Sequence, residues 1–168
     1  IILILLTRDN NKIIDAKILL GNINIKNLND HFKKYLNVIS FWLKKDLHSV
    51  ISSLQNIISD HKKDILAIRL LHFNNIFIGI DSNFLRKHLE ILGNWTKTDP
   101  FYNLILGMTS FAYEENDQLS LAQNLANESL AMSKKDLWSW HALLHVQDNE
   151  LSSDLESNEF FTSIDWSQ

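Results

Sequence analysis

Leu47, Val50, Ile51, Leu54, Ile57 and Ile58 recur at intervals of three and four residues, which draws one unbroken apolar stripe on a helix of about 3.6 residues per turn. Phe101, Leu104, Ile105, Met108, Phe111 and Ala112 repeat the pattern. Both stretches read as core-facing helices. The same spacing, cut at turn residues, predicts about eight helices, over roughly 11–20, 28–44, 46–60, 64–78, 82–93, 100–115, 117–132 and 136–149, with a ninth over about 151–163. Connections of a few residues make chain neighbours antiparallel, so the predicted units are helical hairpins. The alternation Asn22, Ile23, Asn24, Ile25 has the period of a strand, but four residues without a pairing partner read as loop.

The punctuation supports these bounds. Gly21-Asn22, Gly79 and Gly93-Asn94 stand where helices should end, and Asp99-Pro100 offers a capping side chain followed by proline at the first helical position. Ser133 to Asp136 resembles a capping box, and Asn116-Asp117 reads as the acidic start of the next helix. Gly107 falls inside a predicted helix, where it costs about 1 kcal/mol relative to alanine. Close approach of a neighbour would offset that cost. The small-residue stripe Ala122, Ala126, Ser129 on the following helix is the expected partner.

Lys62-Lys63-Asp64 and Lys134-Lys135-Asp136 are 72 residues apart (134 − 62), close to twice the tetratricopeptide period of about 34. Laid on that period, Ala122, Ala126 and Ser129 fall on its small positions, and Trp140 and Leu143 fall where a following repeat carries Trp and Leu. Lysine replaces the motif's proline in both copies. The string Asp99 to Glu115 (DPFYNLILGMTSFAYEE) and the string Asp136 to Val146 (DLWSWHALLHV) resemble the tetratricopeptide repeat protein 38 family, as does Arg69-Leu-Leu-His72-Phe followed by Gly79 and Trp95. The resemblance covers most of residues 30–146. It implies an all-α fold, an α-solenoid of antiparallel helical hairpins built from degenerate tetratricopeptide repeats over 1–168, and a longer parent chain with a second half. After Val146 the family tends to Glu-Met-x-Gly-Arg, whereas this chain reads Asp148-Asn149-Glu150-Leu151-Ser152. No activity comes with the resemblance.

Composition narrows the classes. Sixteen Lys and Arg against twenty Asp and Glu leave a net charge of −4 on 168 residues, 45% of them hydrophobic, which argues for a packed domain and against a nucleic-acid partner. Cysteine is absent, so thiolate metal sites and cysteine nucleophiles are excluded. The opening run Ile1–Leu6 is far shorter than the ~20 residues of a membrane helix, and no targeting signal is visible. The expectation is a fragment without a membrane partner, assigned to the cytoplasm by default, and with no cofactor.

His141 and His145, four apart on one helix, could reach a single zinc ion. A zinc protease would also need Glu after the first histidine, where this chain has Ala142. The plainer reading is two partly buried histidines packed beside Trp138. Glu114-Glu115 with Asp117 forms an acidic knot, but adjacent helical residues point apart. Paired lysines at 33–34, 44–45, 62–63 and 134–135 are dispersed and read as solvated surface. Under the tetratricopeptide alignment, Arg69, Glu114, Trp138, His141, His145 and Asp148 lie on the inner, ligand-facing side of the first helices. Matching positions elsewhere carry Phe32, Tyr35, Ile39, Trp42, Leu66, Phe73, Phe77, Leu104 and Phe111. That much apolar surface must be covered by the rest of the chain or by an apolar ligand. The expected function is a non-catalytic scaffold for a protein or peptide partner. The alternatives are a metal-dependent enzyme centred on His141 and His145, with Asp148 or Glu114 completing the shell, and a carrier of an apolar small molecule.

Overall fold

The computed structural model describes residues 1–7, 9 and 12–151. Among them the fold is all-α: nine α-helices, a short 3₁₀ turn at Ile25–Asn27, and no strand. The helices are α1 (Ile2–Leu6), α2 (Ile13–Gly21), α3 (Asp30–Leu43), α4 (Leu47–Asp60), α5 (Ile65–Ile78), α6 (Phe84–Leu92), α7 (Tyr102–Glu114), α8 (Leu119–Met132) and α9 (Leu137–Leu151). The eight helices expected from the stripes are α2 to α9. The apolar run at the start forms the extra α1, and the ninth helix expected over 151–163 lies outside the described residues. No helix among the described residues is long and apolar enough to cross a membrane. The chain divides into two compact units, 1–82 and 83–168.

In the first unit, α3 to α5 each begin on a side-chain cap. Asn29 accepts from the Phe32 N–H at 2.9 Å, Asp46 from Ser49 at 3.1 Å and Asp64 from Ala67 at 3.0 Å, each cap contributing about 1 kcal/mol. The α4 stripe is the core: Val50, Leu54 and Ile57 are fully buried, against Val38 of α3 and Ala67 of α5. Lys34 near the start of α3 pairs with Asp60 at the end of α4, so the two helices are antiparallel.

In the second unit, side chains report the packing directly. Ser110 Oγ donates to the Ala122 carbonyl at 2.8 Å and Ser129 Oγ to the Asn103 carbonyl at 2.9 Å, which sets α7 and α8 antiparallel. Phe111 of α7 meets Trp138 and His141 of α9, and Glu114 meets His145, so α7 and α9 run parallel. A hairpin followed by a helix parallel to its first member is the arrangement of a helical repeat.

The two units contain the same three-helix module. Helices α7, α8 and α9 begin 72 residues after α3, α4 and α5 (102 − 30, 119 − 47, 137 − 65). The correspondence extends to single bonds. Lys45 and Asp117 hold the same left-handed turn, with φ of 60° and 57°, and in both copies the turn residue donates to a carbonyl three residues back, at 2.9 Å.

Four local expectations are corrected. Gly107 is required not by the α8 stripe but by the start of α9: a Cβ there would collide with the Asp136 carboxylate and lie 2.8 Å from Ser139 Oγ. Ala122, Ala126 and Ser129 are nevertheless fully buried. Asp99 does not cap α7; its carboxylate closes the preceding turn by accepting from the Thr96 N–H and hydroxyl at 2.8 and 3.0 Å, and α7 starts after Phe101 in a left-handed conformation. Ser133 is the extended end of α8, while Asp136 accepts from the Trp138 N–H at 3.3 Å. Asp117 lies in the turn and not in the first turn of α8.

Candidate functional site

Trp138, His141 and His145 lie three and four residues apart on α9, hence on one stripe, and the parallel register sets Phe111 and Glu114 of α7 against it. Ring centroids step along the face: Phe111 to Trp138 5.1 Å, Phe111 to His141 5.2 Å, Trp138 to His141 5.9 Å, His141 to His145 4.3 Å. Phe111 is buried and forms the floor, while the other three rings are half-buried. Glu114 is only 9% exposed, and its Oε1 lies 2.9 Å from His145 Nδ1. Its second oxygen, Oε2, is buried without a hydrogen-bond partner among the described residues. Burial, reinforced by the neighbouring His145, lowers the His141 pKa below its ordinary value, with Glu114 acting in the opposite sense. His141 is therefore neutral near pH 7 and able to donate or accept.

Beneath this face, Asp136 is 2% exposed and fully engaged. Its Oδ2 accepts from Ser129 at 2.8 Å and from Ser139 at 2.7 Å. The absence of a side chain at Gly107 leaves room for that carboxylate, so α9 seats closely on α7.

Of the residues singled out in the sequence, Glu114, Trp138, His141 and His145 are brought together. Asp148 is exposed near the end of α9, and Arg69 is exposed on α5 in the first unit. Among the described residues no group of three or more His, Cys, Asp or Glu side chains is placed to hold a metal ion, so His141 and His145 lack a third ligand there.

The first unit holds a second cluster that sequence spacing did not reveal. Asp64 accepts from Tyr35 Oη at 2.7 Å and lies 3.0 Å from His31 Nε2, and the His61 ring packs edge-on against His31 at 4.1 Å. Burial and the Asp64 carboxylate push the Tyr35 phenol well above its ordinary range, so it stays a donor. Tyr35 and His31 lie 29 and 33 residues before Asp64 in the chain (64 − 35, 64 − 31), and the signal that could have found them is the 72-residue repeat, which makes Asp64 the counterpart of Asp136. Four of the apolar inner positions, Phe32, Tyr35, Ile39 and Leu66, line a cavity of about 470 Å³ together with side chains of α1.

The fold and these faces define a class: an all-α protein of paired helices with one aromatic and imidazole face and one apolar cavity. No protein-family model matches the chain, and no solved structure matches it.

Proposed function

We propose that the protein is a non-catalytic helical-repeat scaffold of the tetratricopeptide kind, related to the tetratricopeptide repeat protein 38 family, whose α7/α9 face holds a segment of a protein or peptide partner. One observation carries this reading: the parallel register of α7 and α9, which aligns Trp138, His141 and His145 over the Phe111 floor. Helical repeats bind through such rows on their first helices, and α3, α5, α7 and α9 begin at 30, 65, 102 and 137, in steps of 35, 37 and 35 residues. Half-buried Trp and His supply flat contact area with polar edges, the chemistry of interface anchors. Glu114 Oε2 adds an acceptor with no donor among the described residues, which favours a bound segment carrying a basic side chain.

The test is selection of binding peptides from a random library on the immobilised protein. Enriched sequences should contain Lys or Arg, and Trp138→Ala or His145→Ala should weaken the best of them about tenfold. Failure to enrich any sequence, or equal binding by both variants, refutes the reading.

A further inference from the structure

We propose that two copies of the chain associate through the outer face of α2, the two helices lying side by side and parallel about a two-fold axis. Six of the nine residues of α2 are aliphatic (Ile13, Ile14, Ala16, Ile18, Leu19 and Leu20), so the helix has no continuous polar face to give to solvent. A helix apolar on every side is normally covered on every side. Here one side is covered and the other is not. Ala16 is fully buried, while Ile14 and Ile18, two residues before and after it and hence on the opposite side of the helix, are 63% and 58% exposed.

Charge decides what fits that face, and in which direction. Asp15 and Lys17 are both exposed and stand on opposite flanks of the Ile14–Ile18 ridge, about 80° to either side of it. Neither has an ion-pair partner among the described residues. The two charges cancel, so the face has no net attraction for an anionic membrane surface. Its complement is apolar in the middle, with a base on one flank and an acid on the other. A second copy is such a surface. A parallel two-fold axis alongside α2 turns the Asp15 flank of each helix onto the Lys17 flank of its partner, whereas antiparallel pairing sets Asp15 beside Asp15 and Lys17 beside Lys17. Gly21, exposed and three residues beyond Ile18, has open space at its α-carbon and lets the two backbones approach at that end. Nine residues span about 13 Å, so the contact lies at the low end of specific interfaces and the dimer is expected on the order of tens of micromolar. This inference is independent of peptide binding at α7/α9, since it uses only side chains of the first unit.

Sedimentation velocity of the full chain between about 1 and about 500 µM should show monomer passing to dimer. Ile14→Glu and Ile18→Glu, both at exposed positions, should stay monomeric throughout while the helical circular-dichroism spectrum is kept. Asp15→Lys should weaken dimerisation at least about threefold, and Asp15→Lys with Lys17→Asp should restore it to within about twofold. Because the chain contains no cysteine, Ile14→Cys reports direction: oxidised alone it should form a disulfide dimer, and mixed with Ile18→Cys it should still cross-link mainly to itself. The proposal is overturned if the chain stays monomeric at every concentration, whether free or sedimenting with phosphatidylserine vesicles. It is also overturned if either glutamate variant or Asp15→Lys dimerises like the parent, if the charge exchange fails to restore what Asp15→Lys loses, or if cross-links between positions 14 and 18 prevail.

Discussion

Tyr35 and Gly107 occupy the same position in two copies of one three-helix module, and most of the difference between the copies follows from that pair. In the first copy the Tyr35 side chain stands between α3 and the start of α5 and reaches Asp64 through its hydroxyl. The two helices approach less closely than α7 and α9 do, and an apolar cavity remains beside Tyr35. In the second copy there is no side chain at Gly107, the Asp136 carboxylate occupies the space, and α9 lies close on α7. Close seating brings Glu114 against His145 where the first copy has Trp42 and Phe73, both in its apolar core. One scaffold thus yields a slot in one place and a polar, aromatic face in the other. An aspartate ahead of the third helix, buried at Asp136 and half-buried at Asp64, is common to both.

The largest effect should come from filling the gap. Gly107→Ala gains about 1 kcal/mol of helix propensity but drives a methyl group into a carboxylate that Ser129 and Ser139 hold, and a net loss of about 3 kcal/mol is expected in urea unfolding. An unchanged midpoint would show that α7 and α9 are not in contact at this point.

Acid should separate the units next. His88 of α6 is 4% exposed, and burial lowers its pKa from about 6.5 to about 4. Because the unfolded chain takes up the proton first, stability falls as the pH drops from 6.5 towards 4, by about 3 kcal/mol in total, and is constant above 6.5 with respect to this group. Unfolding followed in the second unit should show this acid limb, and His88→Leu should flatten it.

A smaller effect is expected from exchanging the copies' residues. His145→Ala strands the Glu114 carboxylate and should cost about 2 kcal/mol, moderated by the partial exposure of His145. The double variant Glu114→Trp, His145→Phe restores the first copy's pair and should recover that loss while abolishing peptide binding. If the double variant is no more stable than His145→Ala, the equivalence of the copies fails at this position. Least of all, Lys34→Ala removes an exposed ion pair with Asp60 and should change stability by less than about 1 kcal/mol.

Helix positions were legible because they depend on local periodicity: the stripe from Leu47 to Ile58 lies within α4, and the glycines at 21, 79 and 93 close α2, α5 and α6. The 72-residue spacing was legible from two Lys-Lys-Asp triplets. Distant partners were not. Gly107 announced a close neighbour, but nothing local distinguishes the α8 stripe from a carboxylate 29 residues on (136 − 107). Asp99 looked like a cap because the proline after it fits a first helical position, yet a bond to Thr96 competes for the same carboxylate and wins. Glu114 read as one of an acidic pair, because its burial is decided by α9 and not by its own helix.

Binding at the α7/α9 face is measured most directly by amide and side-chain NMR of the protein titrated with a library-selected basic peptide. Shifts confined to Phe111, Glu114, Trp138, His141 and His145, with α3 and α5 unmoved, are the predicted result. Shifts centred on α3 and α5, with the Trp138 indole and both imidazoles unmoved, would contradict it.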